Sequence, residues 1–548
     1  MNLREEIAGI IKGEALDDIA ERKKYSRDTS IFERMPSLIV YPKNADDVEK
    51  LVRFVNEKNS KGVRLTLTAR AGGSDMSGGP LTDSILVVFT KYINKIGPIV
   101  EDSATVEPGA FYRDFEKETL ARGEILPSYP ASRGMCTIGG MIANNAGGEL
   151  NLHYGKTDEY VESLDVVLSD GTQAQIKPLT LAELAQKESG NSFEASTYRQ
   201  VHALLEEHHD DIQFARPNVT KNSAGFALWD VLDKEQGIFD LTKLIVGSQG
   251  TLGLITKAQM RLVRTKAERA MLVMFISDLG ALPEIVNRVL KFEPESFESY
   301  DNHTFSLAVH LLPQIIAQFG ILKMIILAFA FLPEMWAVFR GGVPKLVLMA
   351  EFAEDTDQEA LDKAEDAGVA LDDLPVRTKI AKNEVHAEKY WAVRRGSFAL
   401  LRKNLHGLYA APFIDDIVVH PDDYPRFLPE LNAILDQRHI TYTIAGHAGD
   451  ANFHIIPLID MKDPKTKEMI LELQPEVYKL VAKYKGSITG EHNDGIIRTP
   501  YLPIMYGEKM CELFAQVKKI FDPQNIFNPG KKVGGTLEYA MAHLRTNW

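Results

Sequence analysis

Up to about residue 265, apolar positions come in short runs cut by glycine. SLIVYP predicts a strand, and NADDVEKLVRFVNEKN after it predicts a helix: Val48, Leu51, Val52 and Val55 share one face, and Asn44 or Asp46 can cap its start. VRLTLTA, SILVVFT and SATVEP read as strands. AFYRDFEKETLARG reads as a helix that stops at Gly123, and VESLDVVLSDGT as strand, turn and strand around Asp170-Gly171. LTKLIVGSQGTLGLITKAQMRLV reads as more strand.

From about residue 266 the texture changes. MLVMFIS and KLVLMAEF are strand-like, and each is followed by helical spacing, ALPEIVNRVLKF and DQEALDKAEDAG. HPDDYPRFLPELNAILDQR repeats the helical spacing, and YTIAGHAGDANFHIIPLID reads as a strand with polar groups where a core strand carries none. Leu513, Val517 and Ile520 mark a helix face that Asp522-Pro523 ends. The expectation is an α+β protein in four parts. A helical segment covers residues 1–35 and mixed α/β units cover 36–265. An antiparallel sheet covered by helices spans 266–485, and 486–548 return to the first domain.

A chain of 548 residues is too long for one ordinary core. Its net charge of −14 argues against nucleic acid as a partner, since phosphate tracking needs a basic surface. With Cys136 and Cys511 as the only cysteines, neither an iron–sulfur cluster held by four thiolates nor a CxxC redox pair can form. Redox chemistry here therefore needs a bound organic cofactor. The mixed-charge N-terminus predicts surface helices rather than a secretory signal, which places the chain in the cytoplasm. The apolar stretch 315–338 is interrupted by Lys323, Pro333 and Glu334, so it falls short of a spanning helix. Two readings stay open for it: a buried helix of the second domain, or a surface helix resting on a partner or on the inner face of the membrane.

Three glycine loops carry the cofactor argument. In Arg70-Ala71-Gly72-Gly73-Ser74-Asp75-Met76-Ser77-Gly78-Gly79, successive backbone N–H groups can form a concave donor cluster suited to a pyrophosphate. The second loop runs from Pro130 through Thr137, Gly139, Gly140, Asn144 and Asn145 to Gly147 and Gly148. It is a long run of small residues that loses conformational entropy unless a planar group packs against it. The third carries Gly250, Thr251 and Gly253 and leads into Ile255. Any one of them alone could be a tight turn. None is a GxGxxG or GxxxxGK[ST] fingerprint, so NAD and ATP fit poorly.

The second constellation is polar. Asp450, Asn452 and His454 lie two apart and so share one side of a strand, with Phe453 and Ile455 facing the core. His447, in the glycine turn before them, can curl toward the same place. Two imidazoles with Glu491 make a reasonable Zn²⁺ or Mn²⁺ set, while His492, pointing elsewhere, is free to act as proton acceptor. Satisfied loop histidines without a metal are the bland alternative. Arg394 offers a guanidinium for a substrate carboxylate, or a solvated helix charge; Arg498 is a second anion contact on the same reasoning.

With these residues the chain resembles the vanillyl-alcohol oxidase-type FAD superfamily, and more closely its branch of D-lactate, glycolate and D-2-hydroxyglutarate dehydrogenases. His447 to His454 look like GHAGDGNxH and Glu491 to Gly495 like GEHGxG, with Ala451 and Asn493 in place of glycine. The resemblance implies a two-part FAD-binding domain with a cap domain of antiparallel sheet. It implies non-covalent FAD in the three loops, a divalent metal on His447, His454 and Glu491 with Asn452 beside it, His492 as base, and Arg394 on the carboxylate. The pattern looks like the branch whose members work with an iron–sulfur unit, which implies a separate acceptor: an iron–sulfur protein, an electron-transfer flavoprotein or a quinone. The family's Thr and Lys for a distal carboxylate correspond to Phe398 and the stretch 411–414, which supply neither, so the resemblance leans toward a monocarboxylate such as D-lactate. A homodimer is compatible with it. An oxidase of another alcohol, or a flavin-binding subunit of a larger redox complex, are the rival expectations.

Overall fold

The computed structural model describes residues 2–302, 304, 344–383, 386–395, 407–438 and 440–545. The stretch 315–338, His303, His310 and Phe398 lie outside them. The architecture is α+β, built on three main sheets.

The first sheet has the order Glu14–Leu16, Leu38–Tyr41, Ile85–Val88, Leu67–Arg70, with the last three strands parallel. The helix Ala45–Ser60 covers it, and Asn44 accepts from the Asp47 N–H as its cap. Val48, Leu51, Val52 and Val55 are the buried stripe, packed with Leu38, Val40, Ile85 and Val87. Parallel strands send their connections past their carboxyl ends, and the first glycine loop leaves from such an end at Arg70.

A five-stranded antiparallel sheet follows in the order Ile96–Val100, Ser103–Val106, Leu254–Arg261, Val161–Val167, Gln173–Ile176. Gly171, with φ of 82°, makes the turn read from Asp170-Gly171. The segment expected as strand at LTKLIVG is instead a short helix, Thr242–Ile245, because Asp240 accepts from the Thr242 N–H and hydroxyl and starts a turn there.

The third sheet is antiparallel and eight-stranded. Its strands run Val376–Ala381, Glu268–Ile276, Leu346–Glu354, Ser296–Asp301, Thr441–His447, Asn452–Ile459, Tyr409–Ala410, and Ile417–Val418 also pairs with Asn452–Ile459. Both of its faces are buried, which is why its strands read as continuous apolar runs. Leu272, Met274 and Ile276 pack under the helices Leu282–Leu290, Asp357–Val369 and Tyr424–Gln437. Met271, Val273 and Phe275 pack against Tyr390 and Trp391. The single strand expected over residues 442–460 is two, folded back on each other at Ala448–Asp450 with Ala451 at φ of 47°. Among the described residues no helix is long and apolar enough to cross a membrane.

The helix Leu502–Phe521 returns the chain to the first sheet, where Leu67 donates to the Ile526 carbonyl and Asn528 donates to the Leu67 carbonyl. The second glycine loop is set by backbone crowding. A methyl at Gly148 would run into the Tyr129 carbonyl oxygen, whereas at Gly134 nothing lies within 4 Å. Gly148→Ala is expected to destabilise by about 1–3 kcal/mol, and Gly134→Ala to stay within about 0.5 kcal/mol of the parent, in urea denaturation. Equal midpoints for the two variants would show that the loop is not held where the structure puts it.

Candidate active site

One cavity of about 450 Å³ reaches all three glycine loops and the polar centre. The loops are tied to one another by side chains that the cavity does not use up. Asp75 accepts from the Ser77 and Gly79 N–H groups and from Asn144 Nδ2 at 2.8 Å. Gln249 donates to Ser77 Oγ at 3.0 Å and to Asn144 Oδ1 at 3.2 Å. A fourth loop, Glu491 to Gly495, joins the same knot: Gly495 N–H donates to Gln249 Oε1 at 2.8 Å, and Asn493 donates to the Gly247 carbonyl at 2.7 Å. Asn493 stands at φ of 67°, a left-handed conformation that asparagine tolerates, and its amide does work that glycine could not.

Most of the loop residues expected at the cofactor line this cavity. They are Ala71 to Asp75, Pro130, Thr137, Gly139, Gly140, Asn144, Gly147, Gly250, Gly253 and Ile255. Arg70 also borders it, but its guanidinium donates to the Arg27 carbonyl at 2.7 Å and to the Tyr25 carbonyl, binding the N-terminal arm to the loop. Ser77, Gly78, Asn145, Gly148, Thr251 and Asn452 are not among the lining residues. Ser77 is spent on Asp75 and Gln249, Thr251 Oγ1 donates to the Ser248 carbonyl, and Asn145 is the left-handed end of the helix Ile138–Asn144. Gly78 packs beside Phe32 and Ile496, and Gly148 against Tyr129.

The polar centre is built on neighbouring strands. Glu298 pairs across the sheet with His447, His447 with Asn452, and Ala445 with His454. His447 is thus the last residue of a strand rather than part of a turn. Its Nδ1 lies 2.5 Å from Glu298 Oε1, and Arg394 donates from Nε to the other Glu298 oxygen at 2.9 Å. His454 Nδ1 lies 3.2 Å from Asp415 Oδ1, and His492 Nδ1 is in ion-pair contact with Asp415 Oδ2 at 2.8 Å. All three imidazoles turn Nε2 toward one atom, Glu491 Oε1, at 3.6 Å for His447, 3.4 Å for His454 and 3.7 Å for His492. His492 was expected to point elsewhere; it joins the cluster because Asp415 holds it from behind and Asp416 accepts its backbone N–H at 2.7 Å. Phe453 and Ile455 face the core as expected.

Behind Glu491 stands Lys221, fully buried, with Nζ 3.4 Å from Glu491 Oε2, 3.4 Å from Asp450 Oδ2 and 3.5 Å from Asn452 Oδ1. Asn452 donates to Asp416 and to the Ile417 carbonyl, so it supports the cluster from the rear. Burial alone would push these carboxylates up. For Glu491 it is outweighed by Lys221 and His447, which hold the carboxyl well below its usual range, and for Glu298 by His447 and Arg394, which bring it to about 2. Burial disfavours a charged His454, but Asp415 and Glu491 outweigh it and raise its pKa to about 10. His492 is raised in the same way by Asp416 and Asp415. Arg498 is fully buried and donates to the Asn493 and Asp415 carbonyls, so it braces the loop and does not face the cavity as an anion contact.

Sequence reasoning missed Glu298, Asp415, Asp416 and Lys221. The signal for the aspartates was present: two adjacent carboxylates inside the apolar run PFIDDIVV are too costly to bury without a task.

Residues 36–177 match the FAD binding domain, and residues 265–532 match the C-terminal domain of FAD linked oxidases. The chain thus carries both the FAD binding domain and the C-terminal domain of FAD linked oxidases. It is 27% identical over 536 residues to the D-2-hydroxyglutarate dehydrogenase of Escherichia coli (strain K12), matching 95% of this chain and 50% of that one. The chain thus spans about half the length of that relative. It is 26% identical over 499 residues to the D-lactate dehydrogenase of Archaeoglobus fulgidus, covering 90% of this chain and 91% of the relative. Among solved structures, 4-ethylphenol oxidase from Gulosibacter chungangensis shares the fold with a TM-score of 0.67 at 17% identity, over 98% of this chain and 97% of that chain. The buried charge cluster is expected to depend on its internal cation. Lys221→Met leaves Asp450 and Glu491 buried without their ammonium and should destabilise by about 3–5 kcal/mol, read from chemical denaturation. A variant as stable as the parent would show that the lysine does not compensate them.

Proposed function

We propose that the chain is an FAD-dependent dehydrogenase that oxidises a small D-2-hydroxy acid, D-lactate in preference, to the 2-oxo acid. The observation that carries the reading is that one cavity brings the glycine loops of an FAD binding domain to three imidazoles, a buried carboxylate and Arg394. Gly147 shows how close the two parts are: a methyl there would lie 3.4 Å from Glu491 Oε2. The loops fit a flat cofactor with a pyrophosphate, because they are crowded on one side, as at Gly72 against the Met135 carbonyl, and border the cavity on the other. FAD, when bound, supplies the two-electron acceptor for the α-hydrogen, which leaves as hydride.

The protein's own groups do the rest. Arg394, braced by Glu298, holds the α-carboxylate. His492 takes the hydroxyl proton on Nε2, and Asp415 at Nδ1 stabilises the imidazolium that forms. The donor set also fits a divalent ion: His447, His454 and Glu491 each offer a ligand atom, all within 4.8 Å of one another. They would hold Zn²⁺ or Mn²⁺, whose chemistry there is Lewis acidity toward the substrate hydroxyl. Glu298 and Asp415 sit behind the two imidazoles as carboxylates do behind metal-bound histidines.

The name of the Escherichia coli relative favours a second reading, D-2-hydroxyglutarate. Against it, Ala411, Phe413 and Ile414 are fully buried and apolar and offer no cation to a distal carboxylate. The electrons then pass to a separate acceptor, a quinone, an electron-transfer flavoprotein or an iron–sulfur protein.

Anaerobic titration of the yellow protein with a panel of D- and L-2-hydroxy acids should bleach the flavin with the D series, D-lactate first. A flavin left oxidised by the whole panel would end this reading. His492→Ala should keep its flavin and reduce it roughly 10²–10⁴-fold more slowly; normal reduction in that variant would remove His492 as the base. Dialysis against a chelator should leave flavin bound and cut the reduction rate, with recovery on adding Zn²⁺ or Mn²⁺. An unchanged rate in metal-free protein would remove the ion from the account.

A further inference from the structure

Beside Arg394, on the same helical stretch of residues 386–395, Arg395 also borders the cavity. A second arginine is what a dicarboxylate would use, yet this one is engaged. Its Nη2 donates to Glu149 Oε1 at 2.6 Å and its Nε to Glu149 Oε2 at 3.2 Å, a two-bonded pair. The guanidinium lies over the Trp391 ring at 4.2 Å, and the Trp391 indole is fixed in turn by Glu351 at 2.9 Å. Glu149 is fixed from its own side, where the Tyr129 hydroxyl donates to it at 3.1 Å. Glu149 follows Gly147 and Gly148 directly, so the pair joins the second glycine loop to the cap domain across the cavity wall. The glutamate side chain is 15% exposed and the arginine 44%.

We propose that Glu149 is a specificity-determining residue: by occupying Arg395 it makes the cavity reject substrates with a second carboxylate. The inference rests on the proposed 2-hydroxy-acid dehydrogenase activity and names the substrate class within it. A tail carboxylate arriving at Arg395 meets a guanidinium whose two parallel donors are already taken. It also meets the charge of Glu149, which repels it. A methyl tail meets neither cost. Because Arg395 is partly exposed, the pair is weak as a stabiliser of the fold, and its effect lies in selection rather than stability.

The test is rapid anaerobic flavin reduction by D-lactate and by D-2-hydroxyglutarate in the full-length holoenzyme. The wild type should favour D-lactate. Glu149→Gln keeps an acceptor for Tyr129 and removes the charge, so it should shift the ratio of the two efficiencies toward D-2-hydroxyglutarate by about 10-fold or more. Adding Arg395→Gln to it should abolish that gain. Glu149→Leu removes the same charge and carries the same expectation, should the amide variant not fold. An unchanged ratio in the glutamate variants, or a gain that survives loss of Arg395, overturns the proposal while leaving the dehydrogenase reading intact. A wild type that prefers D-2-hydroxyglutarate overturns it without any variant. A wild type reduced by no 2-hydroxy acid overturns both.

Discussion

Burying Glu491 is the constraint to which the rest of the site answers. A carboxylate taken out of water costs several kcal/mol even after the protein relaxes around it, so it persists only with charges arranged on every side. One oxygen faces Lys221 and the other faces three imidazole nitrogens. Those imidazoles are polarised from behind by Glu298 and Asp415, and Asp416 pins the backbone that carries Glu491 and His492. Each member is held by the others. The cluster is therefore rigid and charged at the wall of the cavity.

The glycine loops answer a different constraint, that of bringing backbone close to a flat ligand without letting the loops wander. Asp75, Asn144, Gln249 and Asn493 fasten the four loops by side-chain bonds, which leaves the glycines to shape the cavity. Through Gln249 and Asn493 the loop bearing Glu491 and His492 is bolted to the second and third glycine loops. On the proposed function, one network would set both the flavin and the acid–base groups, as a reaction that passes hydride one way and a proton the other requires.

What could be read from sequence was local. The stripe Val48, Leu51, Val52 and Val55, the cap at Asn44, the Asp170-Gly171 turn and the alternation at Phe453, His454 and Ile455 all follow from neighbours a few residues apart. The histidines stood out because polar residues break an apolar strand. Glu298, Asp415 and Lys221 stayed hidden because their partners lie far along the chain: 149 residues separate Glu298 from His447 and 270 separate Lys221 from Glu491. Only the pairing of strands Ser296–Asp301 and Thr441–His447 puts the first pair together. The orientation of His492 was misjudged for the same reason, since nothing near it in sequence announces Asp415. LTKLIVG looked like a strand from composition, and one aspartate turned it into a helix.

The most direct test of the account is a crystal structure of the flavin-loaded protein, with anomalous scattering measured at the zinc and manganese edges. The account requires the isoalloxazine to lie in the cavity against the glycine loops with its reactive edge toward His492, and an anomalous peak between His447, His454 and Glu491. A flavin bound elsewhere, or imidazoles turned away from its ring, would contradict it.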